Sequence, residues 1–83
     1  MSDPIAELLS LSDAWCAATG LTESTLSTRV LRDGKRLARI RGGADIGART
    51  VASAIGWFST NWPPGVEWPD GIERPPAMAE EVA

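Results

Sequence analysis

Histidine is absent from this 83-residue chain, and cysteine occurs only once. Without histidine the chain lacks the commonest general base and a principal zinc ligand, so most metal sites and most acid–base catalysis are excluded. A lone cysteine cannot form an internal disulfide, which favours a reducing, cytoplasmic setting. Cys16 has no histidine to activate it as a nucleophile. We therefore expect no enzymatic activity, no cofactor, no metal site and no small-molecule ligand.

Long apolar runs are also missing. No stretch approaches the ~20 residues of a membrane span, and the first residues do not show a basic segment followed by a long apolar one, as a secretion signal would. Eighty-three residues leave room for one small domain only. We expect a globular domain over residues 3–74, a flexible acidic tail over residues 75–83 and no association with membranes.

Basic residues are concentrated in one part of the chain. Residues 1–28 contain four acidic and no basic residues, residues 29–49 contain two acidic and seven basic ones, and residues 50–83 contain five acidic residues and one basic residue. The overall charge of −3 argues against a non-specific nucleic-acid binder, whereas the central cluster indicates a local anion-binding surface. The alternative is a solvated helical face on which these cations pair with neighbouring carboxylates.

The first 19 residues predict an amphipathic helix. Asp3 is suited to cap its start, and Pro4 is tolerated in its first turn. Apolar residues recur at three- and four-residue spacing along the segment, and Gly20 is typical of a helix end. The alternative is a break near residues 10–12, where two serines offer a second cap.

A polar helix is predicted to follow a short turn. Thr22 can cap this helix, while Leu26 and Val30 share the side expected to face the core. Serine and threonine are mediocre helix formers, so their concentration over residues 22–28 favours a functional surface. The alternative is that their hydroxyls bond to the backbone of their own helix. The outward side is expected to carry Ser24, Thr25, Thr28, Leu31 and Arg32, with Ser27 and Arg29 on its flanks.

Residues 35–41 predict a third, short helix, in which Leu37 and Ile40 face inward. A glycine pair ends it, either as a plain turn or as a backbone that approaches a phosphate. Of these two readings, the plain turn is favoured, because no Lys-Ser/Thr motif follows the glycines.

A last helix is predicted to begin near Gly47 or Ala48 and to stop at the two prolines 63–64. We expect Trp62 and Trp68, beyond or near its end, to fold back and enlarge the core. A tryptophan cluster that binds a partner is the alternative, because tryptophan is favoured in interface hot spots. The helical patterns together predict an all-α domain of about four helices with a Pro/Trp-rich C-terminal extension.

Residues 16–27 resemble the helix-turn-helix of phage-repressor-like (XRE or lambda-repressor-like) transcriptional regulators. Those families show a small residue, a glycine four positions later, an aliphatic residue, a cap and a core of Ser-Thr-aliphatic-Ser. Residues 44–62 look like the supporting helix that follows in such regulators. The residues of this chain that match that pattern are Cys16, Gly20, Leu21, Thr22 and residues 24–27. One departure is Arg29, which stands where the family has an inward aliphatic residue three positions after Leu26.

The resemblance implies a sequence-specific DNA-binding regulator, with repression as the expected mode, that acts as a nucleoid-associated homodimer on a palindromic operator. Short hydroxyls and arginine suit base edges, and further cations suit phosphates. The expected base contacts are Ser24, Thr25, Thr28 and Arg32, flanked by Ser27 and Arg29. The expected phosphate contacts are Lys35, Arg36, Arg39 and Arg49.

A protein-interaction module is the alternative function, for instance a phage-type modulator that binds another regulator. The acidic flanks, the four tryptophans and the proline-rich ending favour it.

Overall fold

Four helices form the all-α domain seen in the computed structural model, which describes residues 3–75. The helices are α1 (Pro4–Thr19), α2 (Glu23–Leu31), α3 (Arg36–Arg41) and α4 (Ala48–Thr60). An irregular segment, residues 61–75, follows α4, and no β-strand occurs within the described range. The predicted fold class is therefore confirmed. Of the predicted acidic tail, residues 76–83 lie outside the described residues.

The ends of α1 follow from local chemistry. The Asp3 carboxylate accepts a hydrogen bond of 3.1 Å from the backbone N–H of Ile5, as an N-terminal cap does. At the other end, Gly20 adopts a left-handed φ of 77° and donates its N–H to the carbonyl of Cys16. The helix is continuous between them. The alternative break near residues 10–12 does not occur, and the Ser12 hydroxyl donates to the carbonyl of Leu8 within the helix instead of capping a new one.

One apolar core joins all four helices. Its fully buried centre is built by leucines from the first three helices and by Phe58 from α4. Each helix presents an apolar stripe at helical spacing, so burying these stripes against one another is what holds the domain together. The members of this cluster are Leu8, Leu11, Trp15, Leu26, Leu37, Ala54, Phe58 and Trp62.

The segment after α4 folds back onto the core. Trp62 is buried and donates its indole N–H to the carbonyl of Val66 at 2.9 Å. The Trp68 ring packs edge-on against Trp62 with centroids 4.9 Å apart, and its own N–H reaches the carbonyl of Ile72. These bonds satisfy the polar ends of both buried or half-buried indoles. The prediction that Trp62 and Trp68 enlarge the core is confirmed.

Arg74 fixes the far end of this segment. Its guanidinium donates a 2.8 Å hydrogen bond to the carbonyl of Ser59 near the end of α4. It also lies 5.1 Å from the centroid of the Trp68 ring, in cation–π range.

None of the helices over residues 3–75 is long and apolar enough to cross a membrane.

Candidate nucleic-acid interface

A three-residue turn joins α1 to α2. Gly20, Leu21 and Thr22 occupy it, and the left-handed glycine reverses the chain direction. Thr22 caps α2 with its hydroxyl oxygen, which accepts from the backbone N–H of Thr25 at 3.2 Å. The same hydroxyl donates to the hydroxyl of Thr25 at 3.0 Å. Two helices joined by a short turn are thus present, as a helix-turn-helix requires.

The outward side of α2 carries a row of polar side chains. Ser24, Thr28 and Arg32 are exposed and lie four residues apart, so they follow one another along the same helix face. Thr25 is half-buried beside them, and the Thr28 hydroxyl donates to the carbonyl of Ser24 at 3.1 Å. The alternative interpretation, that a hydroxyl of this helix bonds to the helix's own backbone, therefore holds for Thr28. The Thr28 oxygen can still accept a hydrogen bond.

The position of Ser27 differs from the one predicted for a base-contacting residue. Its side chain is fully buried, with its hydroxyl donating to the carbonyl of Asp33 and accepting a 3.0 Å hydrogen bond from the N–H of Leu37. A buried hydroxyl with both roles occupied cannot reach a base edge, so the predicted base contact is wrong. Its task is structural, because it ties α2 to the start of α3.

The core-facing side of α2 is wider than the sequence indicated. Leu31, predicted on the outward side, packs against the core together with Val30. Arg29 is exposed, and its guanidinium lies 6.0 Å from the centroid of the Trp15 ring. Burying an unpaired arginine is costly, so the side of α2 that carries Arg29 stays in solvent and residues 26, 27, 30 and 31 face inward.

The loop after α2 lies against its outward face. A Cβ atom on Gly34 would stand 3.1 Å from the Thr28 hydroxyl and 3.2 Å from that of Ser24, so a side chain there would require these hydroxyls to shift by a few tenths of an ångström. Arg32 precedes this loop and Lys35 follows Gly34 directly. The loop therefore places cationic residues beside the two hydroxyls of α2.

The basic cluster divides into paired and unpaired cations. Arg39 forms an ion pair with Asp33 at 3.0 Å, and Arg41 binds both Asp13 at 2.9 Å and Glu23. Within residues 3–75, the remaining cations of the cluster have no carboxylate within 4 Å, and apart from Arg36 they are exposed. The alternative of an ion-paired face thus holds for two residues only. The unpaired members are Arg29, Arg32, Lys35, Arg36 and Arg49.

Hydrogen bonds shift the pKa values of two charged side chains, Asp33 in the loop after α2 and Arg41 at the end of α3. The backbone N–H of Lys35 and, less strongly, the guanidinium of Arg39 lower the pKa of the Asp33 carboxyl. The hydrogen bond from Arg41 to Glu23 raises the pKa of Arg41. Both shifts favour the charged forms, so these ion pairs persist at neutral pH.

Cys16 lies in α1 and packs against the core. Burial raises the pKa of its thiol, and the nearby carboxylates of Glu23 and Asp13 act in the same direction. The reactive thiolate is therefore disfavoured at neutral pH. Among the described residues, no group of three or more histidine, cysteine or acidic side chains is placed to hold a metal ion.

Arg49 is the predicted site residue that stands on a separate element. It lies in the first turn of α4, whereas the other candidates belong to α2, α3 and the loop between them.

No protein-family model, no curated protein and no solved structure matches this chain. Its function is therefore inferred from the side chains of the interface themselves.

Proposed function

We propose that this protein is a sequence-specific DNA-binding regulator that inserts α2 into the major groove. The observation that carries the proposal is the exposed row of Ser24, Thr28 and Arg32 on the second helix of a helix–turn–helix arrangement. Hydroxyls donate to and accept from base edges, and a guanidinium can bind guanine in a bidentate manner. Thr25 and Arg29 border this row and complete the expected base-reading set.

The unpaired cations beside this row would bind the DNA backbone. Lys35 and Arg36 follow the loop that touches Ser24 and Thr28, so phosphates flanking the groove would meet them while α2 reads bases. Arg39 would have to exchange Asp33 for a phosphate. An exposed ion pair is worth only about 0–1 kcal/mol, so this exchange costs little. Arg49 would add a contact from α4.

A homodimer is part of the proposal. A single copy offers only a few phosphate contacts on a chain whose net charge is −3, so its affinity would be low. Two linked copies bind two half-sites and gain affinity through their effective concentration. The matching operator would be palindromic, with half-sites about 34 Å apart, and occupation of a promoter would repress it.

Base reading is tested by selecting bound fragments from random duplex DNA at fixed salt and then repeating the selection with Thr28→Ala. We expect a palindromic motif for the natural chain and altered preference at one or two positions per half-site for the variant. Ser53→Ala removes an exposed hydroxyl from α4 and serves as the control. It should select the original motif.

Phosphate binding is tested by the salt dependence of affinity for one duplex. Arg36→Gln should weaken binding to every sequence and reduce the slope against log salt by about one. Arg41→Gln removes the same charge from the same helix, but at a guanidinium already held by Asp13 and Glu23, and should leave the slope unchanged. Equal slopes for all three proteins would contradict the phosphate assignment. Failure to bind any duplex better than random DNA would favour the protein-interaction alternative.

A further inference from the structure

An apolar groove lies between the starts of α1 and α4, and its lining contains none of the residues assigned to DNA, although Arg49 directly follows the lining residue Ala48. It encloses about 390 Å³, and its walls are formed mainly by Ile5, Ile46, Val51 and Ile55. A second hollow of about 390 Å³ adjoins it, because both include Ala52 and Ile55. The groove's wall residues are half-buried, or buried in the case of Val51, and concave hollows lined mainly by apolar side chains are the usual form of a binding site.

Acidic side chains border the groove. Asp3 lies at one end, and Glu7 and Glu73 line the adjoining hollow. Within residues 3–75, no cation lies within 4 Å of any of these three carboxylates. Arg74 follows Glu73 directly, but its guanidinium is held by the carbonyl of Ser59 and the Trp68 ring and does not line either hollow. Arg49 follows Ala48 and does not line the groove. The surface is therefore an apolar floor bordered by three carboxylates that form no ion pair, of which that of Asp3 also caps α1.

We propose that this groove binds a cationic amphipathic segment of another protein. Its apolar residues, at helical spacing, would fill the space between α1 and α4, as in helix-in-groove recognition. Flanking lysines or arginines would face Glu7 and Glu73. Such charge complementarity selects the partner and speeds its association, while the buried apolar contacts supply most of the affinity.

Charge argues against the other occupants. Residues 76–83 of the chain contain Glu80 and Glu81 and no basic residue, so the rim would repel this segment. A second copy would bring the same three carboxylates to the interface. The same carboxylates would repel the phosphates of DNA at the groove itself.

Labelled synthetic peptides test the proposal on the full-length chain. The probe is an 18-residue helical peptide, of a length suited to five turns at about 3.6 residues each, with leucine on one face and lysine on the flanks. Two matched peptides carry glutamine or glutamate in place of lysine. Fluorescence anisotropy should rank affinity as lysine above glutamine above glutamate.

Two variants separate the contributions of charge and of the apolar floor. Glu7→Gln combined with Glu73→Gln should weaken binding of the lysine peptide by about three- to tenfold and leave the glutamine peptide unaffected. Ala52→Gln places a polar side chain in the groove and should weaken both. The double variant Glu67→Gln with Asp70→Asn removes two exposed charges outside the groove and should bind as the natural chain does.

Three results would overturn the proposal. Equal loss with the Glu67/Asp70 variant would mean that the peptide senses net charge alone. Peptide binding that appears only after residues 76–83 are removed would assign the groove to the chain's own end. A dimer in sedimentation that Ala52→Gln dissociates would assign it to a second copy. None of these experiments measures DNA binding, so their results neither support nor contradict the proposed regulator function.

Discussion

Side chains of one kind take different roles along α2. The hydroxyls of Ser24 and Thr28 lie in solvent, whereas that of Ser27 is buried between α2 and α3. The sequence could indicate that hydroxyls were concentrated on this helix. It could not assign Ser27, because whether the position after Leu26 faces inward depends on how α2 rotates against the core. Arg29 could have indicated this rotation from the sequence. An arginine is not buried without a partner, and a rotation of α2 that keeps Arg29 in solvent turns Ser27 toward the core.

Ser27→Ala is expected to lower the free energy of unfolding by about 1–3 kcal/mol. The substitution leaves the Leu37 N–H and the Asp33 carbonyl without their partner in a buried position. Urea denaturation measures the change. Ser24→Ala, at an exposed hydroxyl on the same helix, should stay within about 0.5 kcal/mol of the natural chain. Equal effects from both variants would show that the buried hydroxyl does not join the helices.

Arg32 is held in an unfavourable backbone conformation. Its φ is 61°, and no other residue except glycine has a positive φ among those described. Left-handed backbone costs a residue with a side chain about 1–2 kcal/mol. Arg32→Gly should therefore preserve or raise stability, by up to about 1 kcal/mol, while it weakens DNA binding. Paired urea and anisotropy measurements test this. A large loss of stability would mean that Arg32 has a structural role instead.

Asp33 makes stability depend on pH in the acid range. Its pKa is lowered in the folded chain, chiefly by the Lys35 N–H, so its contribution is complete above the pKa of the unfolded chain and disappears as pH falls through the folded value. We expect the free energy of unfolding to decrease below about pH 4. Asp33→Asn should reduce this decrease. An unchanged pH profile in the variant would contradict the assigned hydrogen bonds.

Helices were the most predictable elements of this chain. Their ends depend on neighbouring residues, so Asp3, Gly20 and Thr22 could be recognised as caps from the sequence. The loop over residues 32–35 could not be placed in this way. Its approach to Ser24 and Thr28 depends on the contact between α2 and α3, which adjacent residues do not encode.

Gly20→Ala tests the turn between α1 and α2. No atom lies within 4 Å of an added Cβ, so the whole cost comes from the φ of 77° and should be about 1–2 kcal/mol. Gly47→Ala is the matched control, since its site is equally open and its φ is −66°. It should cost less than Gly20→Ala, because alanine is a poorer N-cap than glycine but adopts this φ without strain. Thermal denaturation distinguishes them, and equal melting temperatures would contradict the argument.

At the scale of the molecule, an 83-residue domain depends on every part of a small core. The segment after α4 supplies part of it through Trp62 and Trp68. This arrangement was predictable because large aromatic residues are rarely left in water. The groove between α1 and α4 was not predictable, since Ile5 and Ile55 belong to the apolar stripes of their helices and only the packing leaves part of those stripes uncovered.

Trp62→Ala is expected to cost about 3–5 kcal/mol. That is a large share of the total stability of a small domain, so the variant should be partly unfolded at 37 °C. Near-ultraviolet circular dichroism and urea titration measure the loss. Leu21→Ala, at a side chain that is 37% exposed, serves as the control and should be close to neutral. A Trp62 variant as stable as this control would place the segment outside the core.

The contact between Arg29 and Trp15 has an optical consequence. Trp15 lies 5.7 Å from Trp57, and the guanidinium stands 6.0 Å from its ring, so the emission of this indole pair depends on where that cation is. A ligand that draws the Arg29 guanidinium away would change the local field on the excited ring. We therefore expect the intrinsic tryptophan fluorescence to change, without any added label, when a ligand engages Arg29 on α2.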